Sequence, residues 1–344
     1  MKYFRPDSVI YHGSCYDGFT AAWLLWRAFG DIEFLPAVYG KPTPIPTGKN
    51  VLMVDYGHHQ EHFTRQDAID LNEACDNFLI LDHHVTAQAA LEGLDFVEFD
   101  MERAGCEMVR DWLGEDLKPE AHLEHPAWLV DHVADRDLWK LRIPTTPFVH
   151  AYYTSVPMTF EAWSELAALE LADVCRLGSA IRQSIDRYCE KVGAEAIDIW
   201  TPWGATSMVN APYLNASELA SWLLDRGPHQ WSVAWFQRGD GRFQYSLRGR
   251  EFDVSEVAKA CGGGGHAGAA GFDSSKLPTS LWPQPPEFQR GQHDAYQDAC
   301  ENCHFGSVGG KDRHAPEKWT APAWIAVNQD AYFAGYKLQG CRQW

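Results

Sequence analysis

Basic residues are scarce in this chain. Lys and Arg number 29 against 47 Asp and Glu, a formal net charge of −18 over 344 residues. Affinity for long duplex nucleic acid comes from neutralising many phosphates, so a chain this acidic is poorly suited to coat it. A small anionic substrate remains compatible, provided bound cations supply local positive charge. Long apolar runs are also missing. None reaches the ~18 residues that a membrane-spanning helix needs. The start, Met1-Lys2-Tyr3-Phe4-Arg5-Pro6-Asp7, lacks the apolar stretch of a signal peptide. No disulfide framework is legible either: the nine cysteines are odd in number and scattered through a chain too large to need staples. A reduced, cytoplasmic protein without a membrane partner is expected. Internal repeats and low-complexity tracts are absent.

What is present is a globular balance, 45% hydrophobic and 22% charged, with 15 Trp read as core and helix-surface packing. At ~150 residues per domain the length gives about two domains and an appendage. The appendage is nearly neutral, with 7 Lys or Arg and 8 Asp or Glu in residues 273–344, so the acidity belongs to the body.

The first part alternates apolar strands with helices. Residues 8–11, 51–54 and 77–81 read as strands, and residues 19–29 and 61–75 as helices. Buried strands alternating with helices imply an α/β fold with a parallel sheet covered on both faces. Residues 157–200 read as largely helical. A second unit follows, with strands at 207–210, 230–236 and 243–248 and a helix over 217–224. It closes with Gly262-Gly263-Gly264-Gly265-His266-Ala267-Gly268-Ala269-Ala270-Gly271-Phe272. Pro278, Pro283, Pro285 and Pro286 then mark a linker.

Chemistry in such sheets gathers where strands end at their carboxyl edge. Each early strand ends in residues of ligand type: His12 and Asp17, Asp55, then Asp82-His83-His84. Asp131, His132, Asp135 and Asp137 add a fourth segment. Alone, an Asp at a strand end is most simply a helix cap. As a set, carboxylates and imidazoles converging on one crevice need a cation to join them. Mixed Asp and His ligands suit Mn²⁺, Fe²⁺ or Zn²⁺ better than Ca²⁺. Two such ions can activate water for in-line displacement at phosphorus. In the second unit, glycines allow close backbone approach to a phosphate, His266 adds a donor, and Arg248 offers a guanidinium fork.

At these residues the chain resembles the DHH/DHHA1 phosphoesterase superfamily. Asp82-His83-His84 resembles the name-giving motif, His12 to Asp17-Gly18 the first, Asp55 the second, and Asp135-Arg136-Asp137-Leu138-Trp139 the fourth. The glycine run with His266 resembles the DHHA1 signature, and the ordered set spans residues 8–272. The resemblance implies a DHH catalytic domain at 1–156, a helical linker at 157–200, a smaller α/β DHHA1 domain at 201–273, and a linker with a short C-terminal module at 274–344. It implies two divalent cations, Mn²⁺ first, with Mg²⁺, Co²⁺ or Fe²⁺ as the others. One would be held by His12 and Asp55. The second would be held by Asp17, Asp55, His83 and Asp135, the last preferred over Asp131 on motif match. His84 would sit beside the scissile phosphate, with Asp82 orienting a histidine, and Arg248, Gly263, Gly264, Gly265 and His266 would bind substrate. One departure stands out. The family's first motif usually carries another Asp two residues before Asp17, and here that place is Cys15, a ligand for a softer metal or a weaker site.

The implied activity is metal-dependent hydrolysis of short single-stranded oligonucleotides or dinucleotides to 5′-mononucleotides, as in nanoRNases and RecJ-like exonucleases. Cyclic-dinucleotide hydrolysis is the alternative enzyme, and a catalytically weak nucleotide-binding scaffold the alternative from another class. A homodimer is compatible. In the tail, Cys300-Glu301-Asn302-Cys303-His304 resembles half a zinc site without its second pair. The segments around Tyr296 and Tyr332 faintly resemble ribosome-modulation-factor-like modules, which would imply a protein or ribosome contact.

Overall fold

The computed structural model describes residues 3–30, 32–58, 62–114 and 127–283. The chain divides into two compact units, Met1–Asp186 and a second from Arg187 onward. The first unit is built on strands β1 (Ser8–His12), β2 (Glu33–Ala37), β3 (Asn50–Val54), β4 (Asn77–Asp82) and β5 (Val97–Phe99). Their order is β2-β1-β3-β4-β5, and every pairing is parallel. Helix α1 (Tyr16–Phe29) follows β1, α2 (Arg65–Ala74) follows β3, and α3 (Val85–Leu91) follows β4. After β5 come α4 (Gly105–Leu113), α5 (Ala127–Asp137), α6 (Thr146–Tyr153), α7 (Phe160–Ala167) and the long α8 (Leu171–Gly193), within which the units divide.

Strand alternation explains the layers. Successive side chains point to opposite faces, so Val9, Tyr11, Leu52, Val54, Leu79 and Leu81 enter one core and Ile10, Val51, Met53, Phe78 and Ile80 the other. The first core takes Trp23 and Leu24 of α1, Val109 of α4 and Val133 of α5, and the second takes Ala68 of α2 and Leu91 of α3. A sheet apolar on both faces must be parallel and covered twice.

Three local differences from the sequence expectation have physical causes. Strand β2 was not foreseen because it contains Pro36, which breaks a strand pattern but is tolerated where β2 lies, at the sheet edge. Helix α1 begins at Tyr16 rather than near residue 19, since the turn after β1 closes in the extended Cys15. Helix α2 is shorter than 61–75. It starts after Thr64, whose hydroxyl accepts from Asp67 N while Asp67 Oδ2 accepts from Thr64 N at 2.7 Å.

The second unit carries β6 (Ile197–Thr201), β7 (Gly204–Asn210), α9 (Ala216–Arg226), β8 (Trp231–Gln237), β9 (Phe243–Gly249), α10 (Val254–Ala260), β10 (Gly264–His266), β11 (Ala269–Ser274) and α11 (Pro278–Leu281). The order is β10-β11-β9-β8-β7-β6, antiparallel except for β7 with β8, which α9 connects. Trp231, Val233, Tyr245, Leu247, Phe272 and Trp282 form its core, with Tyr245 and Phe272 stacked at 4.6 Å between centroids. Residues 284–344, including the Cys300–His304 half-site and the segments around Tyr296 and Tyr332, lie outside the described residues, as does Glu61. Among the described residues no helix is long and apolar enough to cross a membrane.

Gly178 marks where α8 crosses α6 at backbone contact: a Cβ there would fall 1.9 Å from the Phe148 carbonyl oxygen. In an exposed helix, Gly→Ala gains roughly 1 kcal/mol. Here the sign inverts, and Gly178→Ala is expected to lower the urea unfolding midpoint. An unchanged or raised midpoint would show that the two helices separate freely.

Candidate metal centre

Because β1, β3 and β4 are neighbours and parallel, their carboxyl ends share one edge. His12 ends β1, Asp55 follows β3, and Asp82 ends β4 ahead of His83 and His84. Asp17 comes from the first turn of α1. The ligand-type residues therefore meet. His83 Nε2 is 3.0 Å from Asp55 Oδ1, 3.4 Å from Asp17 Oδ2 and 3.6 Å from Asp137 Oδ2. On the other side of the same carboxylate, His12 Nδ1 lies 3.4 Å from Asp55 Oδ2. Asp55 thus turns one oxygen toward each half of the cluster. It does so from a left-handed backbone conformation, φ 55°, rare for a residue with a side chain and tolerated best by Asn and Asp.

Asp17 sits on the N-terminus of α4, where Gly105 N donates to its Oδ2 at 2.6 Å and Cys106 N to its Oδ1 at 2.8 Å. Those N–H groups have no partner inside the helix, and the helix end favours a negative charge. Gly105 is required there, because a Cβ would lie 2.9 Å from Asp55 Cβ and 3.0 Å from Asp17 Oδ2. A Cβ on Gly18 would meet Asp55 Oδ2 at 2.9 Å. Neither Gly105 nor the Cys106 amide was foreseen. A glycine opening a helix was the available signal. Asp82 Oδ1 accepts from His83 N at 2.7 Å, His84 N at 3.3 Å and His84 Nδ1 at 2.7 Å. A carboxylate facing Nδ1 favours a proton on that nitrogen of His84. Tyr39 packs edge-on to His12, with ring centroids 4.6 Å apart, and stacks on Tyr56.

The fourth segment corrects an expectation. Asp135 is not in the cluster. Its Oδ1 accepts from Arg142 N at 2.7 Å, and its Oδ2 from Ile143 N at 3.2 Å and Thr146 Oγ1 at 2.6 Å. Asp137 takes the place expected for it. Two residues along a helix turn about 200°, so only one of the pair can face the cluster. Asp131 pairs with Arg110 at 2.6 Å, and the His132 ring bonds to Trp128 O and Thr145 Oγ1.

Protons are held unusually tightly. Burial acts to lower His83, but its hydrogen bonds to Asp17 and Asp55 win and raise it well above the ordinary imidazole range. His84 is likewise raised, against burial, by Asp82. Burial and the charge of Asp17 push Asp137 up to about 7, against the pull of His83. Asp55 goes the other way: burial opposes ionisation, yet the imidazoles of His12 and His83 beside it hold it well below the usual carboxylate range.

The residues fit divalent cations. His12, Cys15 and Asp55 offer ligand atoms all within 4.8 Å of one another, as do Asp17, His83 and Asp137, and also Asp55, Asp82 and His84. Asp55 Oδ2 and Asp137 Oδ2 are buried and accept no well-formed hydrogen bond. Buried carboxylate oxygens are normally satisfied, and a cation would satisfy both.

In the second unit, Arg248 pairs with Ala269, and Ala269 with His266, across three neighbouring strands. Directly paired residues share a face, so Arg248 and His266 lie in one row. Arg248 donates to Leu247 O at 2.6 Å and to Ser217 Oγ. Two of the glycines have a packing reason of their own. A Cβ on Gly263 would meet Gly271 O at 2.1 Å, and Gly265 has φ 137° with Ala270 Cα 2.6 Å from its would-be Cβ.

Solved structures with a similar fold include one described as a DHH domain, 15% identical with a TM-score of 0.46. The motif residues of the first unit, His12, Asp17, Asp55, Asp82, His83 and His84, gather at one sheet edge, and Asp137 rather than Asp135 lies with them. No family model matches the chain. A similar curated protein is the uncharacterized protein R106 of Acanthamoeba polyphaga mimivirus, 26% identical over 301 residues that cover 79% of this chain and 68% of that one. Similar solved structures include an exopolyphosphatase-related protein from Bacteroides fragilis, 13% identical with a TM-score of 0.49, covering 86% of this chain and 91% of that one. Another is RecJ with Mn²⁺ from Thermus thermophilus, 16% identical with a TM-score of 0.43, covering 96% of this chain and 57% of that one. A third is the pGpG-specific phosphodiesterase PggH from Vibrio cholerae, 10% identical with a TM-score of 0.40, covering 87% and 99%. These likenesses are distant, and the chemistry of the site stands on its own residues.

The proton balance predicts opposite pH slopes with and without metal. Asp137 moves from an ordinary 3.8 to about 7, so the folded state holds its proton longer and stability falls as pH rises through that window. His83 and His84 are raised from 6.5 and add to the fall above it. The lowering of Asp55 acts only below 3.8. Chelator-treated protein is therefore expected to melt at lower temperature at pH 8 than at pH 5. The stabilisation gained from added Mn²⁺ should grow with pH, because cations need deprotonated ligands. A metal-free melting temperature that rises from pH 5 to 8 would contradict this.

Proposed function

We propose that this chain is a divalent-metal-dependent phosphodiesterase acting on short oligonucleotides. The observation that carries the reading is Asp55, whose two oxygens face two separate ligand groups, the arrangement of a bridging carboxylate. Bound divalent cations would supply Lewis-acid polarisation of phosphoryl oxygens and a lowered pKa for water. His12, Cys15 and Asp55 would hold one, and Asp17, His83, Asp137 and Asp55 the other.

The remaining work falls to side chains. Asp82 fixes the His84 tautomer and raises its proton affinity, so His84 Nε2 can carry a proton toward a phosphoryl or leaving oxygen. The α4 N-terminus orients Asp17 through the Gly105 and Cys106 amides. Tyr39, about two-fifths exposed beside His12, offers a face to a base. Within the second unit, Arg248 and His266 share one row of the sheet and would give that unit an anion-binding surface of its own. The acidic body disfavours long duplexes, which leaves short single strands as the substrate class.

Purified protein with Mn²⁺ should release 5′-mononucleotides from di- to pentaribonucleotides. A panel that also holds short DNA and cyclic dinucleotides across Mn²⁺, Mg²⁺ and Co²⁺ tests the class. Intact short RNA throughout, with a cyclic dinucleotide consumed, would replace this substrate with the cyclic one. Asp55→Asn should reduce turnover by at least ~10³-fold, as expected for loss of a group central to transition-state stabilisation, and should lower bound metal from two ions to one or none. Two ions retained by this variant would remove the bridge.

A further inference from the structure

We propose that Cys15 is a metal ligand, and that with His12 and Asp55 it makes one half of the centre a thiolate site favouring Zn²⁺ or Co²⁺ over Mg²⁺. The inference rests on the metal-dependent reading above and specifies which ion that half selects.

Cys15 takes neither of the structural roles open at its place, and its thiol bonds to Asp137 Oδ1 within the cluster. It occupies the cap position of α1, where Ser, Thr, Asp or Asn would bond the first free amides. Its side chain makes no capping bond. The cores flanking the sheet take Tyr16 and Phe19 but not Cys15. Its Sγ instead faces the carboxylates. It lies within 4.8 Å of ligand atoms of both His12 and Asp55, and 3.8 Å from Asp137 Oδ1. The oxygen of Asp55 on that side, Oδ2, is fully buried and accepts no well-formed hydrogen bond. A nitrogen, a sulfur and an oxygen thus approach one another from two segments of chain, the turn after β1 and the end of β3.

The donor set decides the ion. Thiolate and imidazole bind Zn²⁺ and Co²⁺ well, whereas Mg²⁺ demands oxygen ligands and keeps its waters. The other half, Asp17, His83 and Asp137, has two carboxylates to one imidazole and suits Mn²⁺. The centre would therefore be asymmetric, with Asp55 shared between a softer and a harder ion. On binding, the S–H bond breaks, the proton leaves to solvent and the sulfur lone pair goes to the cation.

The test uses the full chain, freed of metal with a chelator and titrated with Co²⁺ while the near-ultraviolet absorption of a thiolate–Co²⁺ bond is followed. The band should appear in the wild type and be absent in Cys15→Ser and Cys15→Asp. Zn²⁺ affinity, measured by competition, should fall by more than ~10-fold in Cys15→Ser. Cys15→Asp should retain two ions and shift preference toward Mg²⁺ and Mn²⁺. The same titration in a Cys300→Ser/Cys303→Ser/Cys341→Ser background keeps the tail from supplying the band, and its appearance there supports Cys15 even if a Cys15 variant fails to fold. Two bound Co²⁺ ions with no thiolate band would overturn the cysteine assignment alone, as would unchanged Zn²⁺ affinity in folded Cys15→Ser. A wild type that binds no divalent ion would overturn the metal-dependent reading as well.

Discussion

The constraint on which this protein depends is the crowding of like charge at one buried sheet edge. Asp17, Asp55 and Asp82 are fully buried, and His83 nearly so. Two unit charges 4 Å apart interact by about 4 kcal/mol even at an effective dielectric of 20, so carboxylates do not gather like this without positive charge between them. In the chain alone, protons serve: His83 stays charged between Asp17 and Asp55, and Asp137 keeps its proton to about 7. A divalent cation would replace those protons with a charge that the ligands can share. The same groups are therefore a strain on the empty fold and a binding site for a filled one.

The rest of the first unit holds that crowd in register. The parallel sheet contributes most, since it delivers three strand ends to one edge by topology alone. Local devices then place each group. Asp55 takes a left-handed conformation that aims one oxygen at each half of the cluster. The α4 N-terminus supplies two amides to Asp17, offsetting its charge without using a side chain. Gly18 and Gly105 are absent side chains in the literal sense, since a methyl group at either would occupy the space that Asp55 needs. These positions cannot be optimised for stability alone, which is the usual state of a functional site.

How much of this was legible depends on the range of the interaction. Strand ends were legible, because a run such as Phe78-Leu79-Ile80-Leu81 closing on Asp82-His83-His84 carries its own boundary. The parallel sheet was legible for the same reason, as periodicity is a local property. What required coordinates was long-range or conformational. The α4 amides reach Asp17 across 88 positions of sequence, and nothing in Ala104-Gly105-Cys106 announces a carboxylate partner. Strand β2 was hidden by Pro36, whose meaning depends on whether the strand lies at an edge. The glycine run was read as a phosphate cradle. At Gly263 and Gly265 the backbone contacts of the β10–β11 hairpin already demand glycine, so sequence alone cannot separate the two pressures there.

The exchange of Asp135 for Asp137 shows why motif matching fails within a helix while succeeding between strands. In a strand, a shift of two residues returns to the same face. In a helix it does not, so the acidic pair at the end of α5 must divide its duties. Asp135 takes the inner one. Both its oxygens are used to close the loop that follows, which runs through Trp139 and Leu141 at φ 54° and 48°. The Arg136 guanidinium lies 4.0 Å over the Trp139 ring and fixes the other side of that loop. Two left-handed side-chain-bearing residues cost roughly 1–3 kcal/mol each, a strain that the Asp135 bonds and the Arg136 contact help to offset. With α5 anchored in this way, its last residue, Asp137, is held where its carboxylate meets His83. The motif residue that best resembles a ligand is thus the support, and its neighbour two places on is the group that the site can use.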